Sequence, residues 1–169
     1  MDSFKKVLLP IVLTIIFITV AGVFYRKNQG LSPLPFNSIN TPIPQKNKTV
    51  TIGDSSIEAE IADTDATRKK GLSERSILGK DSGMLFVISN NRTIPTFWMK
   101  DMKMEIDIIW IRNGVIIQID KNVPPPSFGT ADNKLKLYSP KTAVDYVLEV
   151  NSGYSDSNNF KAGDTVLIE

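Results

Sequence analysis

The sequence predicts a mostly β domain, a small β-barrel or sandwich with short helical insertions, preceded by an N-terminal transmembrane helix. Three observations carry that expectation. Val7 to Tyr25 is a run of nineteen positions without a charge. From about Thr49 onward, six to eight short apolar segments alternate with turn residues over about 120 positions, the pattern of a sandwich or barrel. Asn113-Gly114 sits between two of those segments, the strongest short-range hairpin signal, because both residues accept positive φ.

The elements follow in order. Residues 1–6 form a leader ending in Lys5 and Lys6, and residues 7–25 the anchor, followed by Arg26 and Lys27. At about 1.5 Å per residue, a helix of that length crosses a hydrocarbon layer of roughly 30 Å. A cleaved signal peptide is the competing reading. Thr19-Val20-Ala21 is a poor cleavage site, and Val23, Phe24 and Tyr25 carry the apolar run past it. No cysteine is present to serve as a lipoprotein anchor. The flanking basic pairs nearly balance, so the positive-inside rule hardly discriminates. A six-residue leader favours an N-terminus in the cytoplasm, which makes the expectation a single-pass membrane protein with its domain on the extracytoplasmic side. Residues 26–49, with four prolines and no apolar periodicity, read as a tether. In a polyproline-like state it reaches up to roughly 70 Å.

Within the domain, residues 50–169, Ile57, Ala59 and Ile61 alternate with Glu58, Glu60 and Ala62, a half-buried strand. Thr64 is placed to cap a short helix, DATRKK, that Gly71 closes. LSERSILGKDSG is rich in turn residues and leads to MLFVI, Met84 to Ile88, an unbroken apolar run suited to a central strand. SNNRT makes the next turn. Phe97 to Lys100, a turn at Asp101 to Lys103, and Glu105 to Ile111 lead into the Asn113-Gly114 hairpin, whose return strand is Val115 to Ile119. VPPPSFGTADNK is a loop, because three consecutive prolines cannot join a sheet ladder. Asp145 to Val150 is a strand, SGYSDSNNF a short helix, and AGDTVLIE a turn with the last strand.

Charge narrows the function classes. Residues 46–169 carry 16 lysines and arginines against 17 aspartates and glutamates, so the net positive charge of the chain lies on the anchor flanks. A near-neutral domain lacks the electrostatic footprint for nucleic acid. Without histidine or cysteine there is no imidazole base, no thiol nucleophile and no His- or Cys-based metal site. DSSIE at 54–58 and DTD at 63–65 lack the ligand spacing of a calcium loop. No metal and no cofactor is expected.

Two acids stand on apolar strand faces. Asp107 shares a face with Ile109 and Ile111, and Glu149 one with Val147. As a pair with divergent pKa values they would supply an acid and a base for glycan hydrolysis. Alternatively each is structural, paired with a cation such as Arg68 or Arg75 (an Arg68–Asp107 ion pair is the specific expectation) or bonded to backbone N–H groups. FWMK, residues 97–100, places Phe97 and Met99 on one side of a strand and Trp98 on the other, so that Trp98 is free to wall a groove. Trp110 reads as core. Trp98 beside Lys100 and Asp101 combines a stacking face with orienting polar groups, and Pro125 and Tyr138 are placed to form a second rim.

GLSERSIL, GMLFVI, FWMKDM, EIDIIWI, VPPP, YVLEVNSG and KAGDTVLIE occur here in the order and spacing of a widespread prokaryotic family. From about Ile57 to Glu169 the chain resembles the family known as domain of unknown function 192. The resemblance implies a compact, mostly β fold with a small barrel and brings no activity with it. Members often carry an N-terminal signal or anchor. Two positions depart from the family pattern: Ser73 stands where methionine is usual, and Asp101-Met102 where Asn-Thr is usual. The leading functional expectation is a membrane-anchored, extracytoplasmic binding or accessory domain for an envelope saccharide or partner protein, its ligand-binding residues Trp98, Lys100, Asp101, Pro125 and Tyr138. A carboxylate-dependent glycan hydrolase and a structural scaffold of a membrane complex are the alternatives.

Overall fold

The computed structural model describes residues 46–88 and 93–169. The predicted leader and anchor, the tether up to residue 45, and the turn at 89–92 lie outside the described residues. Among the described residues, no helix is long and apolar enough to cross a membrane.

The described chain forms strands β1 (Asn47–Ile52), β2 (Ser55–Ala62), β3 (Ser82–Val87), β4 (Phe97–Trp98), β5 (Ile106–Arg112), β6 (Val115–Val123), β7 (Leu137–Tyr138), β8 (Tyr146–Asn151) and β9 (Val166–Ile168). Two short helices, α1 (Asp65–Lys70) and α2 (Tyr154–Ser157), and a single 3-10 turn at Asp132–Lys134 complete it. Seven strands build one sheet in the order β6-β5-β8-β3-β2-β1-β9, while β4 and β7 form a separate ribbon. The fold is thus mostly β, a sheet curled as a half-barrel. A bridge between Val115 and Thr165, with Val166 N donating to Gly114 O at 2.8 Å, brings the β5–β6 hairpin against the approach to β9.

Local chemistry explains most of these elements. The hairpin turns where Asn113 and Gly114 take φ of 51° and 67°. Thr64 caps α1 in a reciprocal box with Thr67, and Gly71 ends the helix at φ 48°. A β-carbon on Gly71 would also stand 3.3 Å from the Phe86 ring, so a larger residue there would press on Phe86 as well as strain the backbone. β2 and β3 run parallel. A parallel pair needs a crossover, and α1 with residues 71–81 provides it. β1 begins at Asn47, within the segment assigned to the tether. The strand expected over Phe97 to Lys100 stops at Trp98, with Asp101 turning at φ 57°. β6 continues past Ile119 to Val123, with two register shifts against β5.

The sheet separates two apolar clusters. One contains Met84, Phe86, Ile106, Ile108, Trp110 and Val147, covered by Leu72, Met99, Met102 and Tyr138 from the connecting segments. The other contains Ile57, Leu85, Ile109, Ile111, Leu148 and Val150, closed by Tyr154 and Phe160. Strand parity decides which cluster each side chain joins, and that parity positions the site.

Candidate functional site

Glu149 and Asp107 illustrate the parity. Glu149 lies opposite Met84 on β3 and Ile108 on β5, so it enters the cluster of Phe86 and Trp110. Asp107 lies opposite Val150 and enters the other cluster. The structure does not bring the two carboxylates together: the sheet stands between them, and no substrate can touch both.

Asp107 is fully buried and held by backbone donors. Asn122 N donates to Oδ1 at 2.9 Å, Gly153 N to Oδ1 at 3.2 Å, and Ser155 N to Oδ2 at 2.9 Å. One carboxylate therefore ties the β6 irregularity, where Asn122 has φ 52°, to the turn that starts α2. The expected ion pair between Arg68 and Asp107 is not formed. Arg68 donates instead to Asp65 at 2.6 Å and to the carbonyls of Asp63 and Val87, because α1 packs outside β2 and the Asp107 side chain points to the far face. Arg75 makes a bidentate pair with Glu60 at 2.6 and 2.5 Å, and the Glu60 hydrogen bond holds its guanidinium pKa above the ordinary value. Of the two structural readings, backbone bonding is the one realised at Asp107.

Glu149 is different. It is 5 % exposed, and its carboxyl has no hydrogen-bond or ion-pair partner among the described residues. Burial alone pushes its pKa up to about 8, so at neutral pH it is mostly a protonated acid, able to donate as well as accept a hydrogen bond. It lines a chamber of 290 Å³. Leu72, Phe86, Phe97, Trp98 and Met102 supply apolar wall, and Arg68, Lys69 and Lys70 of α1 the cationic side. Phe97 is fixed by edge-on contacts to Phe86 at 4.9 Å and Trp110 at 5.4 Å.

Trp98 also lines this chamber and is 46 % exposed, while Met99 is 4 % exposed. Phe97 packs against the core and Met99, just past the end of β4, enters it, while Trp98 between them faces outward. Trp110 is fully buried, with Nε1 donating to Asp120 at 2.7 Å.

The other expected binding residues go elsewhere. Pro125 and Tyr138 line a second hollow of 250 Å³ with Met99 and Lys136, and Lys136 lies 4.7 Å from the Tyr138 ring centre. Lys100 ion-pairs with Asp132, which raises its pKa. Asp101 is exposed, and its carbonyl accepts from Glu74 N at 2.8 Å. Lys100 and Asp101 thus shape the turn and line neither hollow. Ser73, by contrast, lines the Glu149 chamber and donates to the Lys100 carbonyl at 3.0 Å. The two departures from the family pattern therefore meet here, as Ser73 and Met102 on one wall. Sequence reasoning missed the α1 side of the site altogether. The basic last turn of DATRKK was the available signal, but nothing in it told that β3 and β8 pass beneath.

No curated protein matches the chain. A crystal structure of a protein of unknown function from Novosphingobium aromaticivorans is 28 % identical, with TM-score 0.63 over 75 % of this chain and 89 % of that one. Another, of a candidate transcription regulator from Sinorhizobium meliloti 1021, is 25 % identical, with TM-score 0.65 over 73 % of this chain and 95 % of that one. The DUF192 family model, described as an uncharacterized ACR, matches residues 48–168. By that match, which spans the whole described sheet, the chain belongs to the DUF192 family.

Proposed function

We propose that this is a ligand-binding domain carried on the extracytoplasmic side of a membrane by an N-terminal anchor, with the chamber at Glu149 as its site. An envelope saccharide is the leading ligand and a partner protein the second. The observation that supports this reading is a buried carboxyl without a partner, opening on a hollow walled by a half-exposed tryptophan. An unsatisfied buried polar group is costly, and a ligand hydroxyl meeting Glu149 while a sugar face stacks on Trp98 would remove that cost. Because Asp107 is on the other side of the sheet, the two-carboxylate hydrolase has no geometric support. The transcription-regulator description of the Sinorhizobium protein finds no echo in a domain with 17 acidic residues against 16 basic ones.

The test is a titration of the full chain with glycan fragments of the envelope, followed by amide shifts at Ser73 and Met102. Saturable shifts are expected, with affinity lowered about tenfold, or about 1.4 kcal/mol, in Trp98→Ala. Equal affinity in that variant would refute the site.

A further inference from the structure

The charge around the chamber narrows the ligand. Among the described residues, Glu149 is the only acidic one in its lining, and the opposite side carries Arg68, Lys69 and Lys70. Arg68 is already engaged by Asp65. Lys69 and Lys70 are exposed, without an acidic partner among the described residues. From the other elements around Glu149, β3 contributes Met84 and Phe86, β5 contributes Ile108, and the 95–102 segment contributes Pro95, Thr96, Phe97, Trp98 and Met102. None of these is charged. The chamber thus has two lysines at its rim, an apolar and aromatic body, and one buried carboxyl.

A cation would be repelled at the rim and would have to ionise a desolvated acid to gain a partner. A neutral molecule would leave the rim unused. An anion is attracted at the rim, provided that it does not also meet a second negative charge inside. We infer that the chamber takes a carboxylate borne on a ring, with the acid group at Lys69 and Lys70, the ring against Trp98 and Phe97, and a hydrogen-bonding oxygen at Glu149. This rests on the proposed binding site and deepens it. The ring is either that of an acidic sugar or that of an apolar aryl acid.

Two series of probes, each keeping one ring and changing the charge of a substituent on it, separate the cases: glucuronate, glucose and glucosamine; and benzoate, benzamide and benzylamine. The full chain, in detergent micelles, is titrated with each while the indole signal of Trp98, one of two in the chain, is followed. The carboxylate is expected to bind tightest in its series at pH 6.5. With Glu149 near 8, raising the pH to 9 ionises it, and carboxylate affinity falls about tenfold, while the lysines remain charged. Glu149→Gln abolishes the pH dependence, because glutamine does not titrate. The double change Lys69→Gln and Lys70→Gln, on exposed positions, weakens the carboxylate roughly fivefold and leaves the neutral member unmoved.

Tightest binding by the amine, or affinity that rises with pH, overturns the inference while leaving the site intact. If only the benzoate series binds, in the expected order, the inference stands and the saccharide reading falls. If none of the six probes moves the Trp98 signal in a folded protein, both fall.

Discussion

Replacing Glu149 with glutamine should shift the stability of the domain in favour of the variant by an amount that grows with pH. In the unfolded chain the carboxyl ionises near 4.5, and in the fold near 8. Between those values the folded state holds a proton that the unfolded state has released. Stability is therefore lost as the pH rises, by about 1.4 kcal/mol per unit. The loss is absent below pH 4.5, reaches about 3 kcal/mol at pH 7, and levels off at about 5 kcal/mol above pH 8. Glutamine does not titrate. Its buried amide carries a constant cost of about 1–3 kcal/mol, so the informative quantity is the slope of the difference between the two proteins, not its value at one pH. Urea unfolding of each full chain, followed through the emission of buried Trp110, gives that slope between pH 5 and 9. Shifts at Asp164 and Lys100 are common to both proteins and cancel. Parallel curves would refute the reasoning, because they would mean that Glu149 is ionised in the fold and has found a counter-charge.

The remaining predictions concern the frame around the site. Gly83→Ala places a β-carbon 2.8 Å from the Glu149 carbonyl oxygen and 3.2 Å from Leu148; neither central strand can yield, so a loss of at least about 1–3 kcal/mol is expected in thermal unfolding. Asp107→Ala strands the N–H groups of Asn122, Gly153 and Ser155 and should cost about 3 kcal/mol or more in denaturant unfolding, with ligand affinity at the chamber unchanged in the protein that remains folded. Thr64→Ala removes the capping box of α1 at about 1 kcal/mol, and amide exchange should quicken in residues 65–70 before it does in the sheet.

How much of this was legible in the sequence depends on whether the signal was local. The Thr64 cap, the Gly71 stop and the Asn113-Gly114 turn are decided by residues adjacent in the chain, and each forms as expected. Trp98 and Trp110 were separated correctly because a strand alternates over its own length, whatever it pairs with. The acids were harder for the same reason. Each one's face could be read relative to its own strand, but whether Asp107 and Glu149 share a face depends on the β5–β8 register, which is set by the pairing of the whole sheet and not by residues near either acid in the chain. Sliding that register by one residue would have placed Asp107 opposite Glu149; the actual pairing opposes it to Val150. The single step makes Asp107 a knot for three backbone donors and leaves Glu149 alone beneath α1. The likeness of the two residues in sequence, an acid between apolar neighbours, therefore hid opposite fates. Asp107 has every oxygen answered by the fold, so a ligand has nothing to add there. Glu149 has its oxygens unanswered by the fold and open to a hollow, and an unanswered polar group is where binding energy is to be gained.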